Sequence, residues 1–268
     1  MLFFKIYKGE KMSKEKVLTS LEDGILLVTL NREEKRNAID PDTAQQLEAI
    51  FNDAEKNDEV RVIVLTGTGN RSFCAGEDLS VFSDSGESQT TVEHGFAGIT
   101  ERFSSKPYIC AVNGTAVAGG LEIALSCDII VASENARFGL SEVRVGLLAT
   151  SGGLVRLPNL VPPKIAAEMA LTGQLINAEK AEKIGLVNYV VAEDAVLEKA
   201  LEIAKTIKKN APISLRLTKE ILRLSGQVSF EDAMKYSSLC WDYIEKTEDA
   251  QEGPNAFLEK REPQWKNR

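Results

Sequence analysis

The chain is predicted to be an α/β protein with parallel strand pairing, and three observations predict it. Short β-branched runs recur through the first two thirds of the 268 residues. Amphipathic helical patterns separate those runs, which argues for crossover connections. After about Glu193 the strand signal stops and helical periodicity fills the remainder. With 43% hydrophobic residues, the chain is long enough to bury a sizeable core.

Taken in order, Ile25-Leu26-Leu27-Val28-Thr29-Leu30 reads as a strand. Asp40-Pro41-Asp42 then opens an amphipathic helix to about Asn57, with acids where the helix dipole favours them. Arg61 to Thr66 is a second strand, closed by Gly67 and Gly69. Tyr108 to Asn113, Asp128 to Ala132 and Leu186 to Val191 complete the strand set. Four helices are expected over Ala195–Lys209, Pro212–Leu224, Phe230–Glu245 and Ala250–Arg261. Residues Ser80 to Gly95 are polar and aperiodic, a loop or lid segment. The organisation is therefore an N-terminal extension (1–16), a core (17–193) and a helical C-terminal region (194–268), with Met12 an alternative start.

Composition narrows the function classes. The net charge is −8 and the pI near 5.0, a poor footprint for nucleic acid, although local basic groups can still serve a phosphate-bearing ligand. Cys74, Cys110, Cys127 and Cys240 form no CxxC pair, so zinc and disulfide frameworks have little support and buried thiols are expected. The N-terminus lacks a signal-peptide pattern and no apolar run is long enough to span a bilayer, so a cytoplasmic protein is expected. His94 is the only histidine and lies in the polar segment, where a surface-loop position is expected. That leaves little basis for a Ser-His-Asp triad or a histidine-rich metal site.

Three segments carry chemistry. Ser72-Phe73-Cys74-Ala75-Gly76-Glu77-Asp78-Leu79 follows a strand, and its small residues permit close backbone approach to a ligand. In Asn113-Gly114-Thr115-Ala116-Val117-Ala118-Gly119-Gly120-Leu121-Glu122 a strand ends and small residues open a helix; its start leaves free N–H groups, Gly119 among them, and Glu122 sits in the first turn. Phe138-Gly139-Leu140-Ser141-Glu142-Val143 places Glu142 after a turn in an apolar stretch. Alone, each feature has a plain structural explanation: a tight turn, a glutamate complementing a helix dipole, a salt-bridged loop acid. Together, two loops able to present N–H donors and two carboxylates in apolar settings suit addition of water to a conjugated thioester. Two N–H groups withdraw charge onto the carbonyl oxygen. One carboxylate activates water while the other delivers a proton to Cα, burial setting their pKa values apart.

These segments resemble the crotonase, or enoyl-CoA hydratase/isomerase, superfamily, in the family's order and spacing from about Val17 to Arg268. The resemblance implies a spiral of ββα units and a helical trimerisation region, often doubled into a hexamer. It implies an oxyanion hole from the N–H groups of Glu77 and Gly119, with Glu142 exchanging the Cα proton and Glu122 handling the water. Coenzyme A, as part of the acyl-CoA substrate and not as a separate cofactor, would lie near Lys35, Arg36 and Ala38, with adenine against Cys74 and Ala75. Phe257 and Lys260 match positions that reach CoA in a neighbouring subunit. No metal, nucleic acid or membrane partner is expected.

Within the superfamily the chain is similar to the carnitinyl-CoA dehydratase (crotonobetainyl-CoA hydratase) branch. Gly95 to Thr100, Ser151 to Pro158, Leu160 to Pro163 and the tail through Trp265 carry that likeness. Three departures stand out: Ala118 replaces a glycine, Ala149-Thr150 replaces a Pro-Gly pair, and Ser80 replaces a lysine near the CoA phosphates. Double-bond isomerisation and a non-catalytic acyl-CoA-binding or RNA-binding protein are the alternatives. The presence of both glutamates favours the hydratase, and the acidic charge speaks against RNA.

Overall fold

A computed structural model describes residues 15–81, 89–91 and 93–268. The expected lid segment, 80–95, falls partly outside these residues.

The large sheet has the order β1-β2-β3-β7-β9-β12. Its strands are β1 (Val17–Glu22), β2 (Ile25–Leu30), β3 (Val62–Gly67), β7 (Tyr108–Val112), β9 (Ile129–Ser133) and β12 (Tyr189–Val191). Only β1 and β2 pair antiparallel; every other neighbour in this sheet is parallel. A smaller sheet joins β4 (Ser72–Cys74), β8 (Thr115–Val117), β10 (Arg137–Gly139) and β11 (Ile176–Asn177) in the order β11-β10-β8-β4. The hairpin β5 (Thr90–Thr91) and β6 (Gly95–Phe96) stands apart. Consecutive strands alternate between the two sheets: β3 then β4, β7 then β8, β9 then β10. The chain therefore winds as a spiral, each turn laying one strand in each sheet.

The parallel strands are apolar on both faces because both faces are covered. In β3, Ile63 and Leu65 point into the main core with Phe51, Phe73 and Tyr108. Val62 and Val64 point the other way, against Val196, Ala200 and Ala204. That two-residue period is the strand's own geometry. The helix Val196–Lys208, which opens the C-terminal region, thus packs on the large sheet. Helices Pro212–Ser225, Phe230–Ile244 and Glu248–Glu259 follow it.

The remaining helices are α1 (Pro41–Lys56), α2 (Gly119–Leu125), α3 (Gly153–Leu160), α4 (Pro163–Thr172) and α5 (Ala178–Lys183). Asp40 caps α1, its carboxylate accepting from Thr43 N at 2.8 Å, and Pro41 supplies a fixed first φ. Strand β1 is absent from the sequence expectation because its pattern is mostly exposed. Strands β4, β8 and β10 are three residues long, too short to leave a period. Among the described residues, no helix is long and apolar enough to cross a membrane.

Candidate active site

The small sheet brings the three expected segments together. β4 and β8 are parallel neighbours, and β8 in turn pairs with β10. The loops that leave these strands therefore emerge side by side: Ala75–Asp78 after β4, Ala118–Gly119 after β8, and Leu140–Glu142 after β10.

The first two loops touch. A methyl group placed on Gly76 would lie 2.9 Å from Gly119 N and 3.1 Å from the Ala118 side chain, so only glycine fits there. Gly76 also has φ +87°, a conformation glycine alone adopts without strain. The loop after β4 is zipped to residue 39 by two bonds: Ile39 N donates to Gly76 O and Asp78 N to Ile39 O, both at 2.8 Å. This pattern uses the groups on either side of Glu77 and turns the Glu77 N–H away, with no protein acceptor among the described residues. Gly119 opens α2, where a first-turn N–H has no intrahelical partner. Two main-chain donors thus stand free on adjoining loops. Ala118, between β8 and α2, holds φ +54° and ψ −130°, a strained conformation for a residue with a Cβ.

Glu122 sits in the first turn of α2, all seven residues of which are buried. Its Oε1 accepts from Gly153 N at 2.8 Å. A methyl on Gly153 would meet Leu140 at 2.9 Å, Glu122 Oε1 at 3.0 Å and Ala149 at 3.1 Å, so the carboxylate is walled by apolar groups. That burial, reinforced by the nearby Glu142 charge, pushes the Glu122 pKa up to about 7 against the pull of the Gly153 N–H. Glu142 opens a 3-10 turn, Glu142–Val145, that contains no fully buried residue. Yet its Oε2 is buried and makes no hydrogen bond, and burial raises its pKa too. An unpartnered buried carboxylate oxygen costs free energy unless a ligand or water satisfies it.

Other expected positions divide. Lys35 and Arg36 are exposed and make no ion pair among the described residues. Ala38 is buried, and its carbonyl accepts from the Arg32 guanidinium. Ala75 is partly exposed. Cys74 corrects the expectation: it has no exposed surface, its thiol accepts from Gly76 N, and burial pushes that thiol up to about 12. Cys74 therefore offers no surface to an adenine, whereas its neighbour Ala75 does. Phe257 is 82% exposed on the last helix, and Lys260 caps the same helix on the surface. Cys110 and Cys240 are buried and Cys127 partly so; among the described residues all the thiols are free.

His94 also departs from the expectation of a plain surface loop. Its Nδ1 pairs with Glu48, and the Arg102 guanidinium contacts both Glu48 Oε1 and His94 Nδ1 at 3.1 Å. Glu48, Glu93 and His94 cluster as metal-type ligands do, but Arg102 already supplies the positive charge there. This network anchors the β5–β6 hairpin, and Phe96 on β6 lays its ring edge against Gly119: a methyl there would lie 2.6 Å from Cε1. Phe96, Gly153 and the Arg32–Asp78 ion pair at 2.8 Å are site features that the sequence reading does not single out. The motif Gly76-Glu77-Asp78 contained one of those partners, but nothing local pairs Asp78 with a residue 46 positions earlier.

The enoyl-CoA hydratase/isomerase family matches residues 20–268. Carnitinyl-CoA dehydratase from Citrobacter koseri is 42% identical over 251 residues, covering 91% of this chain and 95% of the relative. Among solved structures, an enoyl-CoA hydratase from Mycobacterium tuberculosis matches with a TM-score of 0.91 and 37% identity, over 94% of this chain and 99% of that one. A carnitinyl-CoA hydratase from Mycobacterium avium matches with a TM-score of 0.76 and 38% identity, over 96% and 100%. The chain belongs to the enoyl-CoA hydratase/isomerase family, and its fold is the crotonase fold.

Proposed function

We propose, from that membership and the site geometry, that Glu122 and Glu142 are the acid/base pair of a hydro-lyase acting on acyl-CoA thioesters. The chain is a hydratase/dehydratase: it adds or removes water across the α,β bond. The observation that carries the residue assignment is Glu122 itself, buried, pinned by Gly153 N–H and facing a second raised-pKa carboxylate beside two free N–H donors. The thioester oxygen takes the N–H groups of Glu77 and Gly119, which drain charge from the conjugated alkene. Water held by Glu122 loses a proton to it and attacks Cβ. Negative charge collects on the thioester oxygen, where each donor is worth about 3–4 kcal/mol. Protonated Glu142 then delivers its proton to Cα. Dehydration runs the same steps backwards. The pair holds one proton in total at either end of the reaction.

In this reading CoA is held near Lys35, Arg36 and Ala38, with Ala75 at the adenine; the exposure of Lys35 and Arg36, which make no ion pair among the described residues, supports it. Exposed apolar side chains on the C-terminal helices, Leu222, Phe230, Leu239, Trp241, Phe257 and Leu258, support self-association as a trimer or hexamer. In that assembly Phe257 and Lys260 reach a neighbour's CoA. A cytoplasmic location fits the same reading.

For the acyl group, carnitinyl-CoA and crotonobetainyl-CoA stand first. The similarity to carnitinyl-CoA dehydratases supports them. The decisive assay is a panel of short, medium, branched and carnitinyl thioesters, read for 3-hydroxyacyl product. Conversion of a β,γ-enoyl thioester without any hydrated product supports an isomerase instead. Acyl-CoA binding without turnover across the panel supports a binding protein.

A further inference from the structure

One buried cation joins the two halves of the thioester site. Arg32 follows β2, and its side chain is only 10% exposed. One guanidinium nitrogen donates to Ala38 O. The other lies 2.8 Å from Asp78 Oδ2 and 3.1 Å from Asp40 Oδ2. The same stretch is held to the loop after β4 by its main chain. Ala75 N donates to Arg36 O at 3.1 Å, and residue 39 zips both sides of Glu77. Asn37 completes the tie, its side-chain amide donating to Thr68 O and Ser72 O at 3.0 and 2.8 Å while its Oδ1 accepts from Arg32 N.

The consequence follows from where these groups point. Outward, the Arg32–Ala38 segment presents the exposed Lys35 and Arg36. Inward, it fixes the residue whose N–H is one of the two free donors. Asp40 also pairs with Lys16 Nζ at 2.8 Å, but buried Asp78 has Arg32 as its one ion-pair partner among the described residues, so removing Arg32 leaves the loop after β4 with an uncompensated carboxylate. We infer that Arg32 is a positioning residue that couples nucleotide binding at Lys35 and Arg36 to the alignment of the Glu77 N–H. The nucleotide half of CoA then raises kcat as well as affinity, because its binding energy orders a donor used most strongly in the transition state. This rests on the hydratase reading above.

The test compares but-2-enoyl-CoA with the same acyl group on N-acetylcysteamine, which lacks the nucleotide. In the wild-type chain, kcat on the CoA thioester is expected to exceed kcat on the truncated one by about 10-fold or more. Arg32→Gln is expected to bring that ratio to about 1 by lowering kcat on CoA alone. Arg32→Lys keeps the charge but cannot reach Ala38 O and both carboxylates together, so its ratio lies between. It also decides the matter if Arg32→Gln does not fold. Equal losses on both substrates, as a merely structural role would give, overturn the coupling, and so does an unchanged ratio. If the wild-type chain turns over neither but-2-enoyl thioester, the same comparison is made with whichever acyl group of the panel it hydrates; no turnover of any member of the panel sinks the hydratase reading instead.

Discussion

Glu122 and Glu142 occupy unlike ground. Glu122 stands in a helix whose every residue is buried, packed so tightly that a methyl on Gly120 would lie 2.0 Å from Cys74 O. Glu142 stands on a 3-10 turn with no buried residue, and Val143, Val145 and Leu148 around it are exposed. One carboxylate is fixed by its own chain. The other has a buried oxygen without a partner, carried on a segment that its own chain leaves uncovered. The difference teaches a division of labour. The fixed acid has a main-chain partner within its own chain, while the second keeps a buried oxygen open to one.

The sharpest way to break this comparison is to remove each acid. Glu122→Gln and Glu142→Gln are each expected to lower kcat for hydration by about 10²–10⁴-fold while acyl-CoA still binds. Full activity in either variant, measured by 3-hydroxyacyl formation, sinks the pairing. Next is the shelf under Glu122. Gly153→Ala crowds Oε1 and should cost about 10²-fold in kcat with a smaller change in KM. An unchanged kcat would mean that the Gly153 N–H does not position the acid.

The pH dependence sharpens the contrast further. Because the pair works with one proton, kcat/KM should be bell-shaped and should have the same shape for hydration and dehydration, with one limb at about 7. A flat profile across that pH would contradict it. Stability carries the same signature. The folded pKa of Glu122 lies above its unfolded value, so the folded chain holds that proton more tightly. The Glu122 contribution to stability is greatest below the ordinary carboxylate range, falls as pH rises to about 7, and levels off above it. Glu122→Gln should therefore be more stable than wild type at alkaline pH, by up to roughly 3 kcal/mol, and show little gain near pH ~4. Thermal melts at both pH values measure it; a gain that does not grow with pH would refute the burial argument.

The smallest effect concerns Ala118. Ala118→Gly relieves a positive φ and should stabilise the chain by about 1 kcal/mol. If melting temperature falls instead, the Ala118 side chain supplies packing worth more than the strain.

Much of the fold is legible because β2, β3, β7 and β9 are continuous apolar runs that only a doubly covered parallel sheet explains. The helices of the C-terminal region are legible from period alone. The small sheet is not, since its strands are two or three residues long. Yet that sheet assembles the site. Glu122, Glu142, Glu77 and Gly119 are legible as residues because of their small or apolar neighbours. Their mutual approach is not, and neither are the Arg32–Asp78 and Glu122–Gly153 contacts, which span 46 and 31 residues. The misreadings of Cys74 and His94 have the same source: facing and partners depend on tertiary contacts.

The register of β4 against β8 has a practical consequence. Ser72 lies opposite Thr115 and Cys74 opposite Ala116, with a bulge between. The spacing of the two free N–H donors is therefore inherited from a main-chain ladder and a glycine contact. Phe96, against Gly119, and Ala149, beside Gly153, lie outside that ladder. Exchanging those side chains is therefore expected to leave the spacing of the two donors unchanged.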